Sequence, residues 1–144
     1  MGEFRDENDG EILADAGAAV DFGLALVVAA SPVTRVVVSR IAERTGLRTL
    51  SCTPEEAQPA VDGCLPAIAL LSGGADGHDC DRLLERLAAK RRPAGRAQAP
   101  LTVLLINSNT QRPQDDLADI VMPKPVTPDR LQPVIRDLMD RLRD

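Results

Sequence analysis

The sequence is almost without aromatic residues: Phe4 and Phe22 are the whole complement, with no Trp and no Tyr. A core built from it must come from Val, Leu, Ile and Ala, and platforms that stack nucleic-acid bases or sugars on aromatic faces are argued against. Cysteine is scarce too. Cys52, Cys64 and Cys80 are odd in number and widely spaced, with no CxxC pair, so neither a disulfide framework nor a zinc cluster is expected, and reduced thiols fit best. No apolar run approaches the ~18 residues of a membrane span, and the amino terminus is acidic where a secretory signal is basic. These absences predict a soluble, cytoplasmic chain with no membrane partner.

A basic surface is also missing. Residues 1–22 hold seven acids (Glu3, Asp6, Glu7, Asp9, Glu11, Asp15, Asp21) against Arg5, a balance of 1 − 7 = −6; the other 122 residues hold 15 acids and 16 bases, a balance of +1. The acidity therefore belongs to an amino-terminal arm, and the nearly neutral remainder, residues 23–144, is not expected to bind nucleic acid. At 144 residues the chain suits one domain with a core of its own.

What is present is an alternation of short apolar runs with helix starts. Leu24 to Ala30 is a continuous apolar run, as in a strand buried on both faces of a parallel sheet. Ser31-Pro32 then opens a helix with a capping hydroxyl and a first-turn proline; it is expected to run to about Thr45, burying Val33, Val37 and Ile41, and to end at Gly46. Residues 48–52 form a second strand, and Thr53-Pro54 repeats the cap-and-proline signature ahead of a helix that Pro59 should shorten or distort. A third strand covers 67–71, followed by a Gly-rich turn (72–77) and a helix over about 78–91. Residues 92–99 read as a basic Pro/Gly/Ala loop, 101–106 as a fourth strand, 107–117 as a polar connection with one helical turn, and 119–122 as a fifth strand. The last helix, 128–143, has the clearest amphipathic spacing, with Leu131, Val134, Ile135, Leu138 and Leu142 on one side. Five such units predict an α/β, three-layer, flavodoxin-like domain: a five-stranded parallel sheet with helices on both faces and a reduced fourth helix. Its functional crevice lies beyond the carboxyl ends of the strands, where strand order reverses.

The residues at those ends are Ala29-Ala30, Ser72, Asn107-Ser108 and Lys124-Pro125. With Met122-Pro-Lys-Pro125-Val126 standing as a lysine-proline motif and Ala29-Ala30-Ser31-Pro32 opening the first loop, residues 24–142 resemble a response-regulator receiver domain of two-component signalling. The resemblance implies two carboxylates after the first strand to hold Mg²⁺, a phosphoacceptor aspartate ending the third, a hydroxyl after the fourth and a lysine before the last loop. Phosphoryl transfer needs a divalent cation and fixed positive charge, and Mg²⁺ needs oxygen ligands. Here the acidic pair is Ala29 and Ala30, and the acceptor position is Ser72. Asn107 and Ser108 both lie near the hydroxyl position, and Val121 stands where the family carries its switch aromatic. Only Lys124 and Pro125 keep the family's identities. The expectation is a degenerate pseudo-receiver, not an enzyme, with no metal and no cofactor.

Such a module acts through a protein partner: a kinase component, an output domain or a second copy of itself. Family practice places the contact on the surface that here includes Val121, Arg130 and Arg136. The chain also fits the receiver segment of a hybrid histidine kinase. An alternative from another class is a small α/β enzyme using Ser72 with His78 and Asp76 or Asp79, although no oxyanion-hole signature accompanies them. His78, Asp79 and Cys80 supply metal-ligand types without the spacing of a zinc motif, and Cys80 reads more simply as a buried apolar residue. Ser72 to Gly77 matches neither Gly-rich phosphate motif. Lys90, Arg91, Arg92 and Arg96 read as a solvated loop or a docking site for an acidic partner.

Overall fold

Each helix starts where its local chemistry dictates. In the computed structural model, which describes residues 20–63, 65–74, 79–95, 97–107 and 117–143, strand β1 (Val20–Val28) leads into helix α1 (Pro32–Glu43), whose cap Ser31 accepts a hydrogen bond from the Thr34 amide at 3.3 Å. Strand β2 (Arg48–Cys52) precedes helix α2 (Pro54–Gly63). There Thr53 and Glu56 close a reciprocal capping box: the Thr53 amide donates to Glu56 Oε1 (2.9 Å), and the Glu56 amide to Thr53 Oγ1 (3.3 Å). Strand β3 (Leu65–Ser72) and helix α3 (Asp81–Ala89) follow, then short strands β4 (Arg92–Ala94) and β5 (Ala97–Ala99), strands β6 (Leu101–Ile106) and β7 (Ile120–Pro123), and helix α4 (Pro128–Arg143).

The five long strands form one parallel sheet in the order β2-β1-β3-β6-β7. Its two faces read directly from the alternation of side chains along each strand. Ala25, Val27, Ile68, Leu70, Val103 and Leu105 pack under α1 and α4; Leu26, Val28, Ala69, Leu71, Leu104 and Ile106 pack under α2 and α3. Every residue of β3 is buried, as befits the central strand of a three-layer domain. The predicted flavodoxin-like fold is the one observed.

Four local expectations are corrected. Strand β1 begins at Val20, ahead of the apolar run, because Val20 and Asp21 pair with Leu65 and Pro66 and the Asp21 carboxylate binds the Arg48 guanidinium, which holds its pKa below the ordinary aspartate value. Helix α2 continues for four residues past Pro59, which lies on the exposed side, where the carbonyl left without a donor is open to water. Residues 92–99 are a hairpin: β4 and β5 pair antiparallel across Gly95, whose φ of 59° suits the turn, and Ala94, Ala97 and Ala99 pack against the α1/α4 core. Helix α1 buries Val38, Ile41 and Ala42, while Val33 and Val37 are 72% and 43% exposed. The predicted acidic arm, up to residue 19, and the reduced fourth helix lie outside the described residues.

Candidate functional site

Strand order reverses between β1 and β3: the chain passes from β1 to β2 on one side and from β3 towards β6 on the other, so the crevice opens above their carboxyl ends. Register places the ends side by side, with Val28 opposite Leu71 and therefore Ala29 and Ser72 one residue beyond. β7 brings in the third contributor, with Ile106 opposite Pro123 and the Lys124 amide donating to the Ile106 carbonyl at 2.7 Å. Three segments far apart in sequence thus meet at one point.

Lys124 Nζ donates to Ser72 Oγ at 2.6 Å, a contact across 52 positions of sequence. Ser72 is 4% exposed, so its hydroxyl has almost no access to solvent. Burial lowers the Lys124 pKa below the ordinary lysine value, with the Asp79 carboxylate acting in the opposite direction. No carboxylate forms an ion pair with Lys124 among the described residues. The ammonium that would face an acidic cluster in the receiver pattern therefore faces a neutral hydroxyl.

Sequence reasoning missed the second cation at this site. Arg35, one turn into α1, turns its Nη1 back to donate to the Ala29 carbonyl at 2.7 Å and the Ala30 carbonyl at 3.2 Å. Its only signal in the sequence is a basic residue six positions after Ala29, on a helix whose direction places it over the loop. A guanidinium thus occupies two oxygens at the place where the receiver resemblance implies a metal. Ala29 and Ala30 offer methyl groups, Ser72 Oγ is engaged by Lys124, and the site's cations are already protein side chains. This donor set does not fit Mg²⁺, which needs several free oxygens, preferably anionic.

The remaining predicted residues surround the same point unequally. Asn107 Nδ2 reaches the Gly74 carbonyl at 3.5 Å, tying the ends of β6 and β3 together. Asp79 is exposed, and its amide bonds the Gly73 carbonyl. Cys80 is buried and donates its thiol to the Ser72 carbonyl at 3.3 Å; burial, reinforced by Asp79 and Asp81, pushes its pKa up to about 12, so it is a packing residue and not a reactive thiolate. Val121 is half-buried against the α2/α3 core, and Pro125 is exposed after a cis Lys124-Pro125 bond. Asp76, His78 and Ser108 lie outside the described residues, and with them the proposed serine-histidine pair and the His78 metal site. Among the described residues no group of three His, Cys, Asp or Glu is placed to hold a metal ion.

The depressed lysine has a measurable consequence. Between its folded pKa and the ordinary 10.5, the folded chain binds fewer protons than the unfolded chain, so this group's contribution to stability rises with pH across that window. Below the folded pKa the desolvation penalty is fully present. Urea unfolding between pH 8 and 10.5 should show the wild type gaining stability relative to Lys124→Met as pH rises; a constant difference would mean that Lys124 is not desolvated. Burial raises the Cys80 pKa to about 12, so in the folded chain it stays protonated across this window in both proteins.

No protein-family model matches the sequence, and no curated protein does. Solved structures do. A CheY-like receiver domain from Methylobacillus flagellatus superposes with a TM-score of 0.63 at 15% identity, covering 80% of this chain and 97% of its own. The fold is that of a receiver domain. The signal receiver domain of a histidine kinase from Syntrophus aciditrophicus gives 0.58 at 21% identity over 82% of this chain and 90% of its own. The response regulator TrrA, solved in complex with the histidine kinase ThkA, is matched at 0.62 and 19%, over 80% and 97%. At these identities the likeness is one of fold. On this receiver fold the crevice holds two alanines, a serine and two cations. No helix among the described residues is long and apolar enough to cross a membrane.

Proposed function

We propose that this chain is a pseudo-receiver: a two-component signalling module that works without phosphorylation and acts by binding another protein. The observation that carries the reading is the 2.6 Å bond from Lys124 to Ser72 Oγ at the switch point. A lysine that binds a phosphoryl oxygen in the resemblance is here satisfied by a side chain of its own domain. Arg35 on the Ala29 and Ala30 carbonyls supports the same conclusion, since a fixed guanidinium opposes a second cation by charge repulsion. The crevice is thus closed by internal bonds and needs no chemical event to become so.

Ser72 is a weak candidate for accepting a phosphoryl group itself. Its hydroxyl is buried, its partner is a donor, and among the described residues no group of three His, Cys, Asp or Glu is placed to hold the divalent cation that phosphoryl transfer needs. The partner is a kinase component, an output domain or a second copy; TrrA, matched in fold, is bound by a histidine kinase in its own structure.

The test is to record backbone amide shifts while adding Mg²⁺ with a small phosphodonor, and separately Mg²⁺ with beryllofluoride. No saturable change is expected around Ser72 and Lys124. A saturable change at those residues contradicts the reading.

A further inference from the structure

At the amino-terminal end of the sheet lies a groove of about 380 Å³, bounded by the start of β1, the turn between α1 and β2, and the second half of α4. Its walls include Phe22, Leu47, Arg136, Met139, Asp140 and Arg143. Phe22 is the one aromatic residue among the described residues and is 47% exposed, although β1 is buried from Leu24 onwards. The strand thus opens on an uncovered ring.

Helix α4 supplies its wall as a single stripe. Arg136, Met139, Asp140 and Arg143 are spaced three, four and seven residues from the first, which places them on one face, with Met139 between two cations about 10 Å apart along the axis. Arg141 is engaged by Asp137 at 3.1 Å, but neither Arg136 nor Arg143 forms an ion pair among the described residues. Arg143 sits in the last turn, where a cation offsets the negative carbonyl end of the helix; Arg136, about two turns earlier, has no such role. Asp140 is the one carboxylate of the stripe, so the wall carries a balance of 2 − 1 = +1, and Asp21 nearby is already held by Arg48.

The chain itself holds the complement. The 19 residues ahead of Val20 contain Glu3, Asp6, Glu7, Asp9, Glu11 and Asp15 against Arg5, a balance of 1 − 6 = −5. They join β1 at Val20, two residues from Phe22, and are therefore tethered at the mouth of the groove. Within them Glu11-Ile12-Leu13-Ala14-Asp15 sets two apolar residues between two acids. Four residues of extended chain span at most ~14 Å, enough to bridge Arg136 and Arg143, and the nine from Glu11 to Val20 reach up to ~30 Å.

We propose that residues 11–15 dock in this groove as an intramolecular acidic ligand, with Ile12 and Leu13 covering Phe22 beside Met139 and with Glu11 and Asp15 paired to Arg136 and Arg143. The tether favours the chain's own arm over a separate acidic peptide, because a short link gives an effective concentration on the order of millimolar. Arg136 also belongs to the surface that the receiver resemblance gives to protein partners, so a partner bound there displaces the arm. That competition rests on the pseudo-receiver reading; the docking does not.

The test uses the full chain and two pairs of substitutions, Glu11→Gln with Asp15→Asn, and Arg136→Gln with Arg143→Gln, the latter at exposed positions. The arm pair should shift the backbone amides of Leu47 and Met139, which are remote from it in sequence. Phe22→Trp places the chain's only indole in the groove. Its quenching by acrylamide, an uncharged probe, should rise about twofold in ~0.5 M NaCl, where the screening length falls below ~5 Å, and by as much with either pair of substitutions. These responses should not depend on protein concentration. Amide shifts confined to the neighbours of residues 11 and 15, or quenching that neither pair alters, overturn the inference; so does a response that grows with protein concentration, which would put the arm on a second copy. The readout at Leu47, Met139 and residue 22 is separate from that at Ser72 and Lys124, so failure of the docking and failure of the pseudo-receiver reading are told apart.

Discussion

Restoring three carboxylates in one variant, Ala29→Asp, Ala30→Asp, Ser72→Asp, is expected to turn a chain indifferent to Mg²⁺ into one that Mg²⁺ stabilises strongly. The strands that carry these positions are adjacent, with Val28 opposite Leu71, and neighbouring strands lie about 4.8 Å apart, so the new side chains converge. In the absence of metal they repel one another, with Lys124 and Arg35 as the cations placed there among the described residues, and the apo variant should be less stable than the wild type. A divalent cation removes that repulsion. At a concentration one hundred times its dissociation constant it should raise the unfolding free energy by about 2.7 kcal/mol, while the wild type shows no change. Thermal and urea unfolding with and without Mg²⁺ measure both. A folded triple variant that tens of millimolar Mg²⁺ leaves unaltered would mean that the strand ends do not correspond to a receiver's acidic pocket.

The second large effect concerns the core. Leu70 is 1% exposed at the centre of β3, and its side chain faces the layer made by α1 and α4, among Ala25, Val38, Ile135 and Leu138. Leu70→Ala removes buried apolar contacts and leaves a space that five parallel strands cannot collapse to fill, so a loss of about 2–5 kcal/mol is expected, out of the ~5–15 typical of a domain. Val33→Ala, on an α1 position that is 72% exposed, should change stability by less than about 0.5 kcal/mol. Urea unfolding with an unchanged m-value tests the pair. Equal losses at the two positions would contradict the packing described for α1.

The contrast between those two residues marks where sequence reading stops. Helix α1 carries two overlapping four-residue series, Val33, Val37, Ile41 and Val38, Ala42. Periodicity allows either series to face inward; of the first, Ile41 is buried as the spacing predicts, while Val33 and Val37 are exposed. The choice of Val38, Ile41 and Ala42 depends on the angle at which α1 crosses the sheet, which is set by α4 and β2 and not by the helix itself. Helix α4 is the opposite case. Its apolar residues form a single series, and its predicted bounds, 128–143, are those observed. In sequence the β4–β5 hairpin reads as a loop because alanine and proline have little preference for strand; its pairing is decided by contact with the neighbouring core.

By itself the sequence determined the order of strands and helices, the receiver-like fold that this order implies, and which side chains, Ala29, Ala30 and Ser72, end the first and third strands. These are local properties: capping, periodicity and the identity of a side chain at the end of a run. Only the tertiary structure decided what those strand ends contact. Lys124 and Ser72 are 52 positions apart and meet because β3, β6 and β7 are neighbours in register; Arg35 reaches the Ala29 and Ala30 carbonyls because α1 leans back over its own loop. The exposure of Val33, Val36 and Val37 on α1 is also a product of packing, since burial is a relation between elements and no single segment encodes it.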